Sequence, residues 1–310
     1  MKKELTVGIL FCDKDAYLLP NLIKNIKSNI KDIDYEIICY DNRDNTEENL
    51  ELKNITILGT GGGNIRQLAA RKHIIENANG EFLWFIDADD EILPVDRSFY
   101  MPEYDVINFG IDKYYSYAYV SGGTRKTYCI CLWNKFIKTF LLKEAIAYVK
   151  DEDRVSTQED AYYVYMAMSK AKSVLFTKKN IYIYNRKKSS CLVKDCSDNF
   201  DAFYNSFFGF KRLKEIYKEV FDDYTSKKYI NDAIYFFLDK FFETKKIDVA
   251  VKIFESIADT FSYKEIKQMV ENYCETYGYM ITKKKFIDRL IKRKYGKDKE
   301  LTNKKEDGII

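Results

Sequence analysis

Three carboxylates, Asp87, Asp89 and Asp90, fall within four residues directly after an apolar run, Phe82-Leu83-Trp84-Phe85-Ile86. Such a run reads as a buried strand. A strand interior does not tolerate that density of charge, so the acidic group belongs where the strand ends. In an open α/β sheet, ligands bind beyond the carboxyl ends of the strands. Clustered carboxylates there can hold a hard divalent cation, and the cation can bridge substrate phosphates. Taken alone, the same three residues also suit a solvated acidic turn.

Other residues could share that edge. Asp41 closes a second apolar run, Ile37-Ile38-Cys39-Tyr40. An Asp placed so can accept hydrogen bonds from a base or ribose, and equally can be an Asx-turn residue. Gly61-Gly62-Gly63 precedes a helical pattern carrying Arg66, Arg71 and Lys72. A helix N-terminus behind flexible glycines can receive anionic groups. The run has neither Gly-Lys-Ser/Thr nor Gly-x-Gly-x-x-Gly, so it is neither a P-loop nor a Rossmann fingerprint; structural glycine is the simpler account. His73, the one histidine of the chain, reads as a surface or packing residue. Ser156-Thr157-Gln158-Glu159-Asp160 opens a further helix. Ser156 and Glu159 have the spacing of a capping box, and Asp160 is then a first-turn acid favoured by the helix dipole.

The elements that must position these residues alternate. Leu5–Phe11, Tyr35–Tyr40, Ile55–Leu58, Phe82–Ile86 and Val106–Phe109 read as strands. Leu18–Ile30 and Asn64–Ala78 read as amphipathic helices between them. That order implies an α/β fold with a mostly parallel sheet and helices on both faces. Tyr114–Leu132 reads as a hairpin turned at Gly122-Gly123. After about residue 199 only helical periodicity remains: Phe203–Phe221, Tyr229–Phe242, Val249–Phe261, Tyr263–Tyr277 and Lys283–Arg293. The expected division is an α/β domain over 1–198, an all-α domain over 199–295 and a disordered tail over 296–310.

The chain has 310 residues, 46 % of them hydrophobic, enough for a sizeable core. A net charge of +3 from 51 basic and 48 acidic residues argues for no nucleic-acid partner. Seven scattered cysteines suggest reduced thiols and a cytoplasmic location. A single histidine disfavours a Cys/His zinc site. No signal-like segment and no apolar stretch near the ~20 residues of a membrane span is found. Residues 283–294 form a basic amphipathic segment. A solvated helical face explains it, and peripheral contact with the inner, anionic face of a membrane is the other reading.

Together these blocks resemble family 2 glycosyltransferases with the GT-A fold over the N-terminal ~190 residues. Phe-Ile-Asp-Ala-Asp-Asp-Glu-Ile (85–92) resembles the family's Asp-x-Asp block. Gly-Gly-Asn-Ile-Arg-Gln-Leu-Ala-Ala-Arg-Lys (62–72) resembles its glycine-to-Ala-Arg-Asn segment, and Asn-Gly-Glu-Phe-Leu (79–83) the turn before its central strand. Leu-Trp-Asn-Lys-Phe-Ile-Lys (132–138), Gln-Glu-Asp (158–160) and Asn-Arg-Lys-Lys-Ser-Ser (185–190) resemble later blocks in the right order. The chain departs from the family after its first strand, at Phe11-Cys12-Asp13-Lys14-Asp15. It departs again after its second, where Tyr40-Asp41-Asn42-Arg43 replaces paired Asp followed by Gly-Ser.

The resemblance implies a metal-dependent, inverting transfer from a nucleotide-diphosphate sugar, UDP-linked by preference, to an acceptor hydroxyl. By position it puts Asp41 on the nucleobase and Asp87 near the ribose. Asp89 ligates Mn2+ or Mg2+, and Arg71 and Arg186 face the donor phosphates. Asp160 is the general base, with Glu159 beside it. The acceptor is a glycan, a lipid-linked sugar or a protein hydroxyl. Two other classes stay open. A sugar-nucleotide nucleotidyltransferase would release pyrophosphate, but its glycine-rich loop normally follows the first strand, whereas Gly122-Gly123-Thr124-Arg125 lies mid-chain. A non-catalytic binding module would bind a sugar nucleotide without turning it over.

Overall fold

The computed structural model describes residues 2–44, 52–59, 63–110, 130–153, 155, 158–185, 200–230, 234, 252, 255–257, 259–262, 264–268 and 271. The chain divides into two compact units, Met1–Ser190 and Cys191–Ile310.

The first unit is built on a seven-stranded sheet. Its strands are β1 (Lys3–Phe11), β2 (Tyr35–Asp41), β3 (Thr56–Leu58), β4 (Gly80–Asp87), β6 (Val106–Gly110), β7 (Lys135–Lys138) and β8 (Val174–Asn180), in the order β3-β2-β1-β4-β7-β6-β8. β1 pairs in parallel with β2 and β4, and β2 with β3. β7 alone runs antiparallel, between β4 and β6. A small second sheet pairs β5 (Glu91–Ile92) with β9 (Tyr182–Ile183). Four helices accompany the strands: α1 (Leu19–Asn29), α2 (Arg66–Asn77), α3 (Thr139–Ala145) and α4 (Glu159–Lys170).

β1 and β4 are buried along most of their length because both faces are covered, as expected of parallel strands. Leu19, Leu22, Ile23 and Ile26 of α1 share one core with Leu5, Val7 and Ile9 of β1 and with Phe82, Trp84 and Ile86 of β4. α2 covers the opposite face. A Cβ on Gly8 would meet Ile74 Cγ2 at 2.9 Å and the Phe85 ring at 3.0 Å. The two-residue period of a strand therefore assigns sides: Trp84 and Ile86 face α1, while Phe85 and Asp87 face α2.

In the second unit, α5 (Phe200–Val220) matches the expected helix, and residues 223–230 and 264–268 are helical. Phe210, Leu213, Ile216, Tyr217 and Tyr229 are buried there. No described residue beyond 200 is in a strand. The expected hairpin lies outside the described residues apart from 130–132. The tail 296–310 and the basic segment 283–294 also lie outside them. Among the described residues, no helix is long and apolar enough to cross a membrane.

Candidate active site

The strand ends converge as their register requires. Phe11 pairs with Asp41, and Leu10 with Asp87, so β1, β2 and β4 finish at one edge. Asp41 is buried there, and its carboxylate is already occupied. Arg43 Nε and Nη2 donate to its two oxygens at 2.9 and 2.7 Å, and the Arg43 N–H adds a third bond at 3.2 Å. The Arg43 guanidinium lies 5.8 Å from the centre of the Phe11 ring. Next to it, Asn42 shapes the start of α2. Its Oδ1 accepts from the Ile65 N–H at 2.8 Å, and its Nδ2 donates to Asn64 Oδ1 at 3.0 Å. Gly63 sits at φ +78°, a conformation that suits glycine; Gly61 and Gly62 lie outside the described residues.

The turn after β4 separates the three acidic residues by role. The Asp90 N–H closes it on the Asp87 carbonyl at 3.2 Å. Asp90 was grouped with the cation candidates from its type alone, and the structure corrects that grouping. It is buried, its Oδ2 accepts from the Tyr182 hydroxyl at 2.7 Å, and its Oδ1 accepts from the Asn185 N–H at 2.7 Å. The Tyr182 oxygen in turn accepts from the Asp87 N–H at 3.0 Å. Asp90 is thus a tether between the acidic turn and β9. Burial pushes its carboxyl up to about 6, although both of those donors pull the other way. Behind it the Tyr182 ring stacks on Trp133 at 4.6 Å between centroids. Trp133 is held in place by its own carbonyl, which accepts from Trp84 Nε1 at 2.6 Å.

Asp89 stays partly exposed, at the wall of a cleft of about 350 Å3 between α1 and residues 88–91. Asn21, Lys24 and Ser28 line the same cleft. Asp15 lies near enough for its carboxyl to be raised, first by burial and then by the charge of Asp89. The donors here are carboxylate oxygens, which suit Mg2+ or Mn2+. Among the described residues, no three acidic, Cys or His side chains gather tightly enough to cage an ion by themselves. The fit is to a cation that takes one or two protein ligands and completes its shell with phosphate and water.

Arg71 is where the structure departs most from expectation. It was expected to face donor phosphates. Instead it is buried on α2 and surrounded by carboxylates. Nη1 donates to Glu159 Oε1 at 2.6 Å and to Asp160 Oδ1, and Nη2 reaches Asp87 Oδ1 at 3.4 Å. Its guanidinium carbon lies 5.5 Å from the centre of the Phe85 ring. Leu132 N–H donates to the other Asp160 oxygen at 3.2 Å. α4 is pinned against α2 on either side of this group. The Leu68 N–H donates to the Val155 carbonyl at 3.1 Å, and the Tyr163 hydroxyl donates to the Leu68 carbonyl at 2.8 Å.

The capping box is not what Glu159 forms. α4 starts at Glu159 itself, after Gln158 in the left-handed region at φ 66°, and the Gln158 side chain makes no capping bond. Ser156 lies outside the described residues. A buried guanidinium is a stronger partner for a carboxylate than one backbone N–H, so tertiary pairing prevails over the local pattern. Burial raises the Glu159 carboxyl, with Asp160 adding to the rise and Arg71 opposing it. Asp87 is raised as well, first by loss of water, with Asp160, Asp90 and Asp89 reinforcing and Arg71 opposing. Its side chain keeps 38 % of its surface.

His73 lies where the plain reading placed it, stacked on Tyr40 at 5.5 Å with Nδ1 3.1 Å from Glu76 Oε2. Arg186 lies outside the described residues. Sequence reasoning missed Arg43, Asn42, Tyr182 and Trp133 as parts of this site. Trp133 stood in a recognised block, which was a signal; Tyr182 carried none.

Residues 6–99 match the family model described as Glycosyl transferase family 2. No curated protein matches the chain. Among solved structures, S. aureus TarS 1–349 aligns with a TM-score of 0.52 at 14 % identity, covering 83 % of this chain and 80 % of that one. A second S. aureus TarS structure gives 0.53 at 15 %, covering 83 % and 48 %. TarS 1–349 in complex with UDP-GlcNAc gives 0.51 at 14 %, covering 83 % and 80 %. Identities this low speak for the fold alone. The family match over β1 to β4 and the sheet described above agree: residues 6–99 are similar to glycosyltransferases of family 2, and the sheet has the GT-A fold of the TarS structures.

Proposed function

We propose that the chain transfers a sugar, with inversion, from a nucleotide diphosphate to an acceptor hydroxyl, and that the step depends on a divalent cation. One observation carries this reading. Asp87 on the β4 edge and Asp160 at the start of α4 share a single buried guanidinium, so a donor-side and an acceptor-side carboxylate stand together. A nucleotide-diphosphate donor fits the edge of β1, β2 and β4. The UDP-GlcNAc complex of a protein with this fold supports a UDP-sugar.

Asp41 would meet the base once Arg43 yields one of its bonds, or through Arg43 itself. Asp87 would accept from the ribose. Asp89 would hold Mn2+ or Mg2+, which when bound offsets the charge of the leaving diphosphate. The chain's own contribution to the bond change is Asp160. Each of its oxygens has one protein donor and so one lone pair to spare, and 24 % of the side chain is accessible. It can therefore take the acceptor proton as the hydroxyl oxygen attacks the anomeric carbon and the nucleotide diphosphate departs. One displacement inverts configuration and needs no protein nucleophile. Arg186 facing the phosphates remains part of the proposal on sequence grounds alone.

The experiment is a screen for sugar-nucleotide hydrolysis with and without Mn2+. One donor should be hydrolysed, with loss of turnover in EDTA and in Asp89→Ala. Asp160→Asn should lose roughly 10²–10⁴-fold in rate while nucleotide binding persists. Full turnover in EDTA refutes metal dependence, and near-normal turnover in Asp160→Asn places the base elsewhere.

A further inference from the structure

We infer that Arg71 is the positioning residue for the base: it holds Asp160 and Asp87 in one rigid unit instead of contacting the donor phosphates. The inference rests on the reading of Asp160 as base given above. Three facts carry it. The guanidinium is buried on α2, and its two terminal nitrogens are spent on Glu159, Asp160 and Asp87. Its remaining nitrogen, Nε, is also buried and finds no partner among the described residues. Three of its five N–H donors therefore point at carboxylates, and Nε is enclosed by protein. The residues it binds come from β4 and α4, elements separated by more than 70 positions in sequence, and the Leu68–Val155 and Tyr163–Leu68 bonds fix the helix that presents it.

The physical role follows from charge and shape. One cation serves three carboxylates, so the cluster keeps a surplus of negative charge. Without Arg71, Asp87 and Asp160 would repel each other and turn apart. With it, Asp160 Oδ1 points at Nη1 and Oδ2 at the Leu132 N–H, which leaves its carboxylate one orientation. Glu159 completes the clamp by accepting the other N–H of Nη1. The planar fork matters as well as the charge, because an ammonium cannot span three carboxylates at fixed angles.

A misplaced base lowers turnover while nucleotide affinity stays in place, and guanidinium supplied from solution can refill the gap left by Arg71→Ala. This yields a readout that a merely structural role would not move. Full-length wild type, Arg71→Lys and Arg71→Ala would be compared on the sugar nucleotide that the wild type hydrolyses. Turnover and the dissociation constant for UDP with Mn2+ would be recorded, with and without added guanidinium.

Arg71→Lys should lose about 10²-fold in turnover, the scale of a misplaced catalytic group, with UDP affinity within about threefold of wild type. Added guanidinium should restore part of the rate of Arg71→Ala. If Arg71→Ala fails to fold, Arg71→Lys alone decides the matter. A loss of tenfold or more in UDP affinity with turnover preserved overturns the inference in favour of a phosphate contact. Unchanged turnover in a folded variant overturns it in favour of a purely structural role. Asp160→Asn run alongside separates the two readings. If Asp160→Asn keeps its turnover, the base assignment fails and this inference with it; if Asp160→Asn loses turnover and Arg71→Lys does not, the inference alone fails.

Discussion

Tyr182→Phe removes one oxygen and tests the account of the acidic turn. That oxygen accepts from the Asp87 N–H at 3.0 Å and donates to Asp90 Oδ2 at 2.7 Å. Phenylalanine keeps the ring stacked on Trp133, so packing is nearly unchanged and the loss is polar. A hydrogen bond to an ionised group contributes ~1.5–3 kcal/mol, and a buried donor left alone costs ~1–3 kcal/mol. Asp87 stands at a partly open edge, so its N–H can recruit water and the second cost falls near its lower limit. The expected loss is about 2–4 kcal/mol, or about 4–16 °C in Tm for a unit of this size. Thermal unfolding of the full chain at neutral pH measures it. Ile183→Ala, on the next residue and 44 % exposed, should stay within ~0.5 kcal/mol. In a double-mutant cycle with Asp90→Asn the two changes should couple by at least ~1.5 kcal/mol, since they share one bond. UDP binding should weaken too, because Asp87 loses the anchor of its backbone. A loss below ~1 kcal/mol with no coupling would show that the hydroxyl bridge does not hold the turn, and the reassignment of Asp90 as a tether would be refuted.

Two further outcomes are expected. Glu159 is raised by burial, and a carboxyl whose folded pKa exceeds its unfolded value contributes stability that is fully present below the unfolded pKa and lost as pH rises through the folded one. Wild type should therefore lose stability relative to Glu159→Gln between about pH 4.5 and about pH 7; a constant difference in urea midpoint across that range would contradict the burial argument. At Gly80 a Cβ would run into the Thr6 nitrogen and lie 2.6 Å from the Leu5 carbonyl carbon. Backbone cannot yield there without parting β1 from β4, so Gly80→Ala should cost about 3 kcal/mol, at the upper end for overpacking, and an unaltered urea midpoint would count against the close approach.

Much of the fold was legible because its signals are local. The apolar runs at 5–11, 35–40 and 82–86 became β1, β2 and β4, and the helical spacing at 18–30 became α1, each within two residues of expectation. A strand's period and a helix's period are written into neighbouring residues, and burial on both faces of a parallel sheet makes the runs continuous. β7 and β8 were not read from periodicity. β7 is four residues long and contains the buried Lys135, whose Nζ donates to the Cys131 carbonyl and Asn134 Oδ1, both at 2.7 Å. β8 lies at a sheet edge, and none of its seven residues is buried.

The sequence by itself determined the kind of chemistry. It named the acidic groups, placed Asp41 and Asp87 at strand ends, and set Glu159 and Asp160 at the start of a helix. Only the tertiary structure decided what each carboxylate does, because residue type does not distinguish one aspartate from another. Asp90 became a tether through Tyr182, 92 positions away, and Glu159 became a clamp through Arg71, 88 positions away, against a capping pattern that was complete in sequence. Those roles depend on which face of β4 a residue occupies and which donor the opposite helix brings to it. Burial then enforces the choice, since a carboxylate withdrawn from water must find its hydrogen bonds in whatever the fold places beside it.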